Sequence, residues 1–232
     1  MLPAVDDQER AREAAARAAL ERIEEGMTIG LGSGRAVWRT IELIGERWPG
    51  GHPPIRSAFA SERTRELAAR VGIEAVELDG VVRLELAIDG ADEVDPHLAL
   101  IKGGGAALLR EKIVVTAAER FLVVAETRKK VERLGSTFKL PVEVVRFGWR
   151  DTRRRLLELL PSADLRMAGE DPVLTDEQHY LLDCALPPLD DFAALGAELK
   201  GTVGVVEHGL FIDLATEALL GTPQGEVEVQ IK

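Results

Sequence analysis

Short apolar runs along the chain alternate with longer stretches whose apolar positions recur at helical spacing. Residues 27–31, 55–59, 73–76, 84–88 and 121–125 read as buried strands. Residues 6–25, 35–47, 61–71 and 106–117 read as the helices between them. Boundary residues agree with this division. Asp6 and Asp7 can cap the first helix and Gly26 stops it, Trp48-Pro49-Gly50-Gly51 ends the second, and Ser61 opens the third. Regular strand–helix alternation predicts an α/β fold, a doubly wound and mostly parallel sheet of Rossmann-like type.

The pattern changes after Leu134. Residues 140–145 look β-like and 150–160 form an amphipathic helical stretch. Short strands are expected at 165–167, 173–174 and 179–183, a helix at 189–199 and a strand at 204–206. This predicts a smaller inserted α+β domain with antiparallel character. The expected organisation is a catalytic α/β domain of residues 1–134 plus 207–232, and the smaller domain over 135–206. Residues 209–212 resume strand character, and 227–231 are expected to close the chain as a strand.

A hydrophobic fraction of 46% in 232 residues is enough to bury a real core. The net charge of -11 argues against a general nucleic-acid or anionic-membrane binder, while leaving room for a local basic pocket for a small phosphate. A single cysteine, Cys184, excludes an internal disulfide framework and points to a reducing compartment. The N-terminal stretch is acidic and Ala/Arg-rich, without the apolar segment of a secretory signal. No run approaches a membrane span, so a cytoplasmic protein is expected.

Candidate chemistry gathers after the strand at 84–88, in Asp89-Gly90-Ala91-Asp92-Glu93-Val94-Asp95 and then Lys102-Gly103-Gly104-Gly105. In open α/β sheets, ligands bind beyond the carboxyl ends of the strands. Asp89, Asp92 and Asp95 offer hard oxygen ligands of the kind Mg²⁺ or Ca²⁺ takes, or simply form a solvated turn. The order is not that of an EF-hand, and His52, His97, His179 and His208 show no metal-binding spacing. In a Walker A loop the lysine follows the glycines; here Lys102 precedes them, so ATP use is not indicated. A lysine beside carboxylates can stabilise a developing oxyanion, and Glu111, in the following helix, can serve as a general base or form a surface ion pair.

Gly30-Leu31-Gly32-Ser33-Gly34 links a strand to a helix and can hold an anion on its N–H groups, or act as a plain tight turn. Its spacing does not fit a dinucleotide fingerprint, which makes NAD an unexpected ligand. Arg128, Lys129 and Lys130 follow the strand at 121–125, where they form a solvated turn or face a phosphate at the ligand edge of the sheet.

The order and spacing of these motifs, with Ala106-Ala107-Leu108-Leu109-Arg110-Glu111-Lys112 and Leu140-Pro141-Val142-Glu143-Val144, resemble the type A ribose-5-phosphate isomerases over nearly the whole chain. The resemblance implies cofactor-free interconversion of ribose 5-phosphate and ribulose 5-phosphate, in the non-oxidative pentose phosphate pathway. It implies Glu111 as general base, with Asp89 and Lys102 as further catalytic residues. Substrate contacts fall on Ser33, Gly34, Arg35 and Ala36; on Asp89, Gly90, Ala91 and Asp92; and on Lys102, Gly103, Gly104, Gly105 and Lys129. No metal is expected, because the Lys102 ammonium does a Lewis acid's work. The only partners implied are a small sugar phosphate and further copies of the chain, as a homodimer or homotetramer. The first loop departs from the family pattern: Arg35-Ala36 stands where a Ser-Thr pair is usual. Two hydroxyl donors are lost and a guanidinium capable of bidentate phosphate binding is gained. Arg12 matches a position that is often basic in the family. Two other readings are a non-catalytic sugar-phosphate sensor and a related deaminase or acyl-CoA transferase. A sensor would lack Glu111 or Lys102, and a deaminase would carry a histidine beside these motifs.

Overall fold

The structure is a computed structural model describing residues 6–80, 83–189 and 191–232. Helix α1 (Asp7–Leu20) leads to β1 (Thr28–Leu31), α2 (Arg35–Arg47), β2 (Arg56–Phe59), α3 (Glu62–Arg70), β3 (Glu74–Ala75) and β4 (Leu86–Asp89). Two short strands, β5 (Glu93–Val94) and β6 (Leu100–Ile101), precede α4 (Leu108–Thr116) and β7 (Phe121–Glu126). Then come β8 (Leu140–Val144), α5 (Trp149–Leu156), β9 (Ser162–Leu165), β10 (Met167–Ala168), β11 (Asp171–Pro172), β12 (Tyr180–Ala185) and α6 (Phe192–Gly201). The chain ends with β13 (Val205–His208), β14 (Leu210–Phe211), β15 (Glu217–Gly221) and β16 (Val227–Ile231).

Backbone packing divides the chain into two units. The first holds Met1–Ala91, Arg110–Lys130 and Leu214–Lys232; the second holds Asp92–Leu109 and Val131–Asp213. The sheet of the first unit runs β16-β15-β7-β4-β1-β2-β3 and is parallel except for the pairing of β16 with β15. The mostly parallel α/β sheet expected from the sequence is therefore present. Strands β1, β4 and β7 are buried at every position, as a sheet covered on both faces requires. Helix α2 supplies one cover by burying Val37, Ile41 and Ile44 on one stripe. Helix α3 starts where the Ser61 hydroxyl accepts a hydrogen bond from the Thr64 N–H.

The second unit is built on a four-stranded antiparallel sheet ordered β13-β8-β12-β9. Leu140, Val142 and Val144 of β8 alternate into its core with Leu156, Leu182 and Leu199. A three-stranded sheet, β14-β6-β5, carries the chain up to Lys102, which follows β6 directly. Neither β5 nor β6 is expected from the sequence. Each is two residues long, too short to show alternation, and Glu93 of β5 is fully buried. Its carboxylate accepts hydrogen bonds from the N–H groups of Gly135 (2.6 Å) and Phe138 (2.7 Å) and from the Thr137 hydroxyl (2.7 Å).

Candidate active site

In the first unit, Ser33 and Gly34 follow the carboxyl end of parallel strand β1 and Asp89 ends parallel strand β4, while Arg35 and Ala36 open α2 and Glu111 lies in α4. The Gly32 N–H donates to Ile88 O at 2.9 Å, so the pairing of β1 with β4 continues into the turn. A Cβ on Gly32 would lie 1.9 Å from Asp89 Cγ, so the Asp89 carboxylate lies across the turn only because residue 32 is glycine. The Ser33 N–H then donates to Asp89 Oδ1 at 3.0 Å, and the Gly90 N–H donates to the same oxygen at 2.7 Å. The turn thus directs its Ser33 N–H to a protein carboxylate, where the sequence suggests an anionic ligand. The Ser33 hydroxyl donates to Glu111 Oε1 at 2.5 Å. Asp89 and Glu111 are both buried, at 0% and 3% exposure.

Glu111 lies in the first turn of α4, closer to the helix start than the sequence suggests. The helix begins at Leu108 because Ala106 is held at φ 62°, a left-handed conformation no α-helix accepts. The positive end of the helix dipole therefore favours the Glu111 carboxylate anion. Gly34 precedes α2, and Arg35, its first residue, is exposed while Ala36 is buried. Arg12 is not left for a ligand alone: its guanidinium pairs with Glu126 Oε1 at 3.1 Å. Arg12 and Arg35 line one cleft of about 570 Å³ with Trp38 and Arg39. Lys129 closes the short helical turn after β7, and Ala91 ends the first unit's segment.

In the second unit, Asp92 Oδ2 accepts from the Gly104 N–H at 2.7 Å. Asp95 serves its own loop, accepting from the His97 and Ala99 N–H groups at 2.8 Å each. Lys102 is 2% exposed, its N–H donates to Gly209 O at 2.9 Å, and its ammonium lies 5.4 Å from the Phe211 ring centroid. The turn through Gly103, Gly104 and Gly105 is closed by the Ala106 N–H donating to Gly103 O at 3.1 Å. Arg166, which the sequence reading passes over, donates to Gly103 O at 2.8 Å. Among the described residues, no group of three or more His, Cys, Asp or Glu side chains is placed to hold a metal ion. No helix among them is long and apolar enough to cross a membrane.

Comparison with known proteins identifies the family. The model of ribose 5-phosphate isomerase A (phosphoriboisomerase A) matches residues 58–225. The chain belongs to this family.

Among ribose-5-phosphate isomerases A, the chain is 48% identical to that of Synechococcus sp. (strain JA-3-3Ab) over 216 residues, covering 92% of this chain and 94% of that one. It is 45% identical to that of Caulobacter vibrioides, covering 97% and 98%. Its structure matches ribose 5-phosphate isomerase A from Methanocaldococcus jannaschii with a TM-score of 0.90 at 33% identity, covering 97% of this chain and all of that one. It also matches a D-ribose-5-phosphate isomerase in complex with phospho-erythronic acid, with a TM-score of 0.91 at 36% identity over 97% and 99% of the two chains.

Proposed function

We propose that the chain interconverts D-ribose 5-phosphate and D-ribulose 5-phosphate through an enediolate, with Glu111 as the base and no cofactor. In the open-chain aldose, the Glu111 carboxylate takes the C2 proton. The C–H electron pair forms the C1–C2 double bond, and negative charge passes to the C1 carbonyl oxygen. Lys102 and the N–H groups of the glycine loop stabilise that charge. The C2 hydroxyl proton passes to O1, aided by Asp89 and Asp92, and Glu111 returns its proton to C1. The result is a C2 ketone and a C1 hydroxymethyl group.

The observation that carries the reading is the buried Glu111 carboxylate, held by the Ser33 hydroxyl in the first turn of α4 of an isomerase-family chain. A base with one oxygen fixed has little freedom to lose on approaching C2. Phospho-erythronic acid, bound by a structural relative, also fits the reading, since its planar carboxylate matches an enediolate in charge and shape. Substrate contacts are assigned to Ser33, Gly34, Arg35 and Ala36, to residues 89–92 and 102–105, and to Lys129. The working form is a cytoplasmic homodimer or homotetramer.

The test is exchange of the C2 proton with solvent deuterium alongside ribulose 5-phosphate formation, in wild type and Glu111→Gln, with EDTA present. The expected result is turnover in wild type and a fall of about 10³-fold in the variant. Ribose 5-phosphate binding by wild type without exchange or product would overturn the reading in favour of a sensor. Full activity in Glu111→Gln would move the base elsewhere, with Asp89 next.

A further inference from the structure

We propose that Arg166, fixed by Asp183, is a positioning residue that sets the orientation of the Gly103–Gly104–Gly105 backbone. The assignment of that loop to substrate rests on the isomerase reading; the arrangement itself lies within the second unit.

Arg166 stands between β9 and β10. Its N–H donates to Leu181 O at 2.9 Å and its carbonyl accepts from the Val173 N–H at 2.9 Å. The side chain is 14% exposed. Its Nε donates to Asp183 Oδ1 and Oδ2 at 3.2 and 3.0 Å, and its Nη2 donates to Oδ1 as well. This leaves the other arm of the fork, Nη1, which donates to Gly103 O at 2.8 Å and Gly104 O at 3.3 Å. Asp183 satisfies the charge and sets the plane of the guanidinium, so Arg166 meets the loop as a rigid double donor.

Trans peptide geometry turns those two contacts into an orientation of the loop. In a planar trans peptide, the N–H points opposite the C=O. The peptide joining Gly103 to Gly104 has its oxygen on Arg166 and its N–H on Asp92 Oδ2, so one plane is gripped at both edges. Close approach is part of the grip: a Cβ on Gly104 would lie 2.7 Å from Asp92 Oδ1. The next peptide has its oxygen on Arg166 too, so the Gly105 N–H faces away from the guanidinium. A cationic donor on each carbonyl also polarises the peptide and strengthens its N–H as a donor. In the isomerase reading, the Gly104 N–H stays on Asp92 and the Gly105 N–H acts on charge that grows between aldose and enediolate. Loss of the grip should therefore weaken the transition state more than the bound substrate.

A residue that merely braces the sheet would behave differently. Its loss would lower the melting temperature and leave kcat and KM alone. The experiment compares wild type, Arg166→Lys and Arg166→Met in kcat, KM, inhibition by phospho-erythronic acid and melting temperature. For Arg166→Met, we expect kcat to fall about 30-fold or more, with KM within about threefold. The inhibition constant should rise in step with the loss in kcat/KM. Arg166→Lys, which keeps a cation but not the fork, should lie between the two, and it decides the matter if the methionine variant does not fold. Folded variants with wild-type kcat/KM and inhibition constant would overturn this proposal alone. A wild-type protein with no isomerase activity would overturn it together with the isomerase reading.

Discussion

Ser33 joins two buried carboxylates: its hydroxyl donates to Glu111 Oε1 at 2.5 Å, and its N–H donates to Asp89 Oδ1 at 3.0 Å. The backbone contact survives any substitution that keeps the loop; the hydroxyl contact does not. Ser33→Ala should therefore release Glu111 while leaving Asp89 in place. A hydrogen bond to a charged group is worth about 1.5–3 kcal/mol, which corresponds to a fall in kcat of roughly 10- to 100-fold. Steady-state kinetics at saturating ribose 5-phosphate would show it, and an unchanged kcat would detach Ser33 from the chemistry.

Gly32 tests whether the loop must be that close to Asp89. A Cβ there would sit 1.9 Å from Asp89 Cγ and 2.0 Å from its Oδ1, whereas a Cβ on Gly50 meets nothing within 4 Å. Gly32→Ala should cost about 1–3 kcal/mol in urea unfolding, in line with overpacking elsewhere. Gly50→Ala should stay within about 0.5 kcal/mol of wild type. Equal stability of the two variants would contradict the close packing of the turn on Asp89.

The sequence made the parallel core legible because β1, β4 and β7 are buried on both faces and so read as continuous apolar runs. It also placed Asp89 and the glycine turn correctly on strand ends, because turn residues punctuate an α/β chain. What it hid depends on contacts between distant residues. Glu93 looks exposed until the loop at 135–138 wraps its carboxylate. Arg12 looks free on its helix until Glu126 arrives from β7. The later start of α4 comes from an alanine with positive φ, a conformation that its residue type does not advertise. Arg166 falls at an irregular position between two short strands, where alternation carries little information. An arginine and an aspartate on neighbouring predicted strands were the one hint of its pairing with Asp183.

Glu143 should make stability depend on pH. It is fully buried on β8; Oε1 accepts from the Thr175 hydroxyl at 3.0 Å and meets His179 Nδ1 at 2.9 Å, while Oε2 has no hydrogen-bond partner among the described residues. Burial raises its pKa above the ordinary carboxylate value, and the hydrogen bonds from His179 and Thr175 only partly oppose this. A carboxyl group with a raised folded-state pKa favours the folded state below its unfolded pKa of about 4.3, and that contribution is lost as pH rises through the folded value. Glu143→Gln cannot ionise. It should melt higher than wild type at neutral pH, and the gap should narrow as pH falls towards 4. A gap that does not change with pH would show that Glu143 keeps one charge state throughout.

Arg35 offers the clearest test of the departure in the first loop. The three arginines lining the cleft differ in what holds them. Arg12 is paired with Glu126, and Arg39 is held by Glu13, Glu42 and Glu46. Among the described residues, Arg35 forms no such ion pair, and it sits at the first position of α2, where the helix dipole also favours an anion. A guanidinium in that setting loses little when a phosphate arrives, because it has no carboxylate to leave. Arg35→Ala should raise KM for ribose 5-phosphate about tenfold, the scale of one charge-assisted hydrogen bond, with kcat within about twofold. Added salt should raise the wild-type KM more steeply than the variant's, since the variant has one fewer cation to screen. Arg35→Ser restores a hydroxyl without the charge, and its KM should fall between those two while its salt response matches the alanine variant. If all three proteins share one KM and one salt response, Arg35 points to solvent and phosphate recognition lies with other residues.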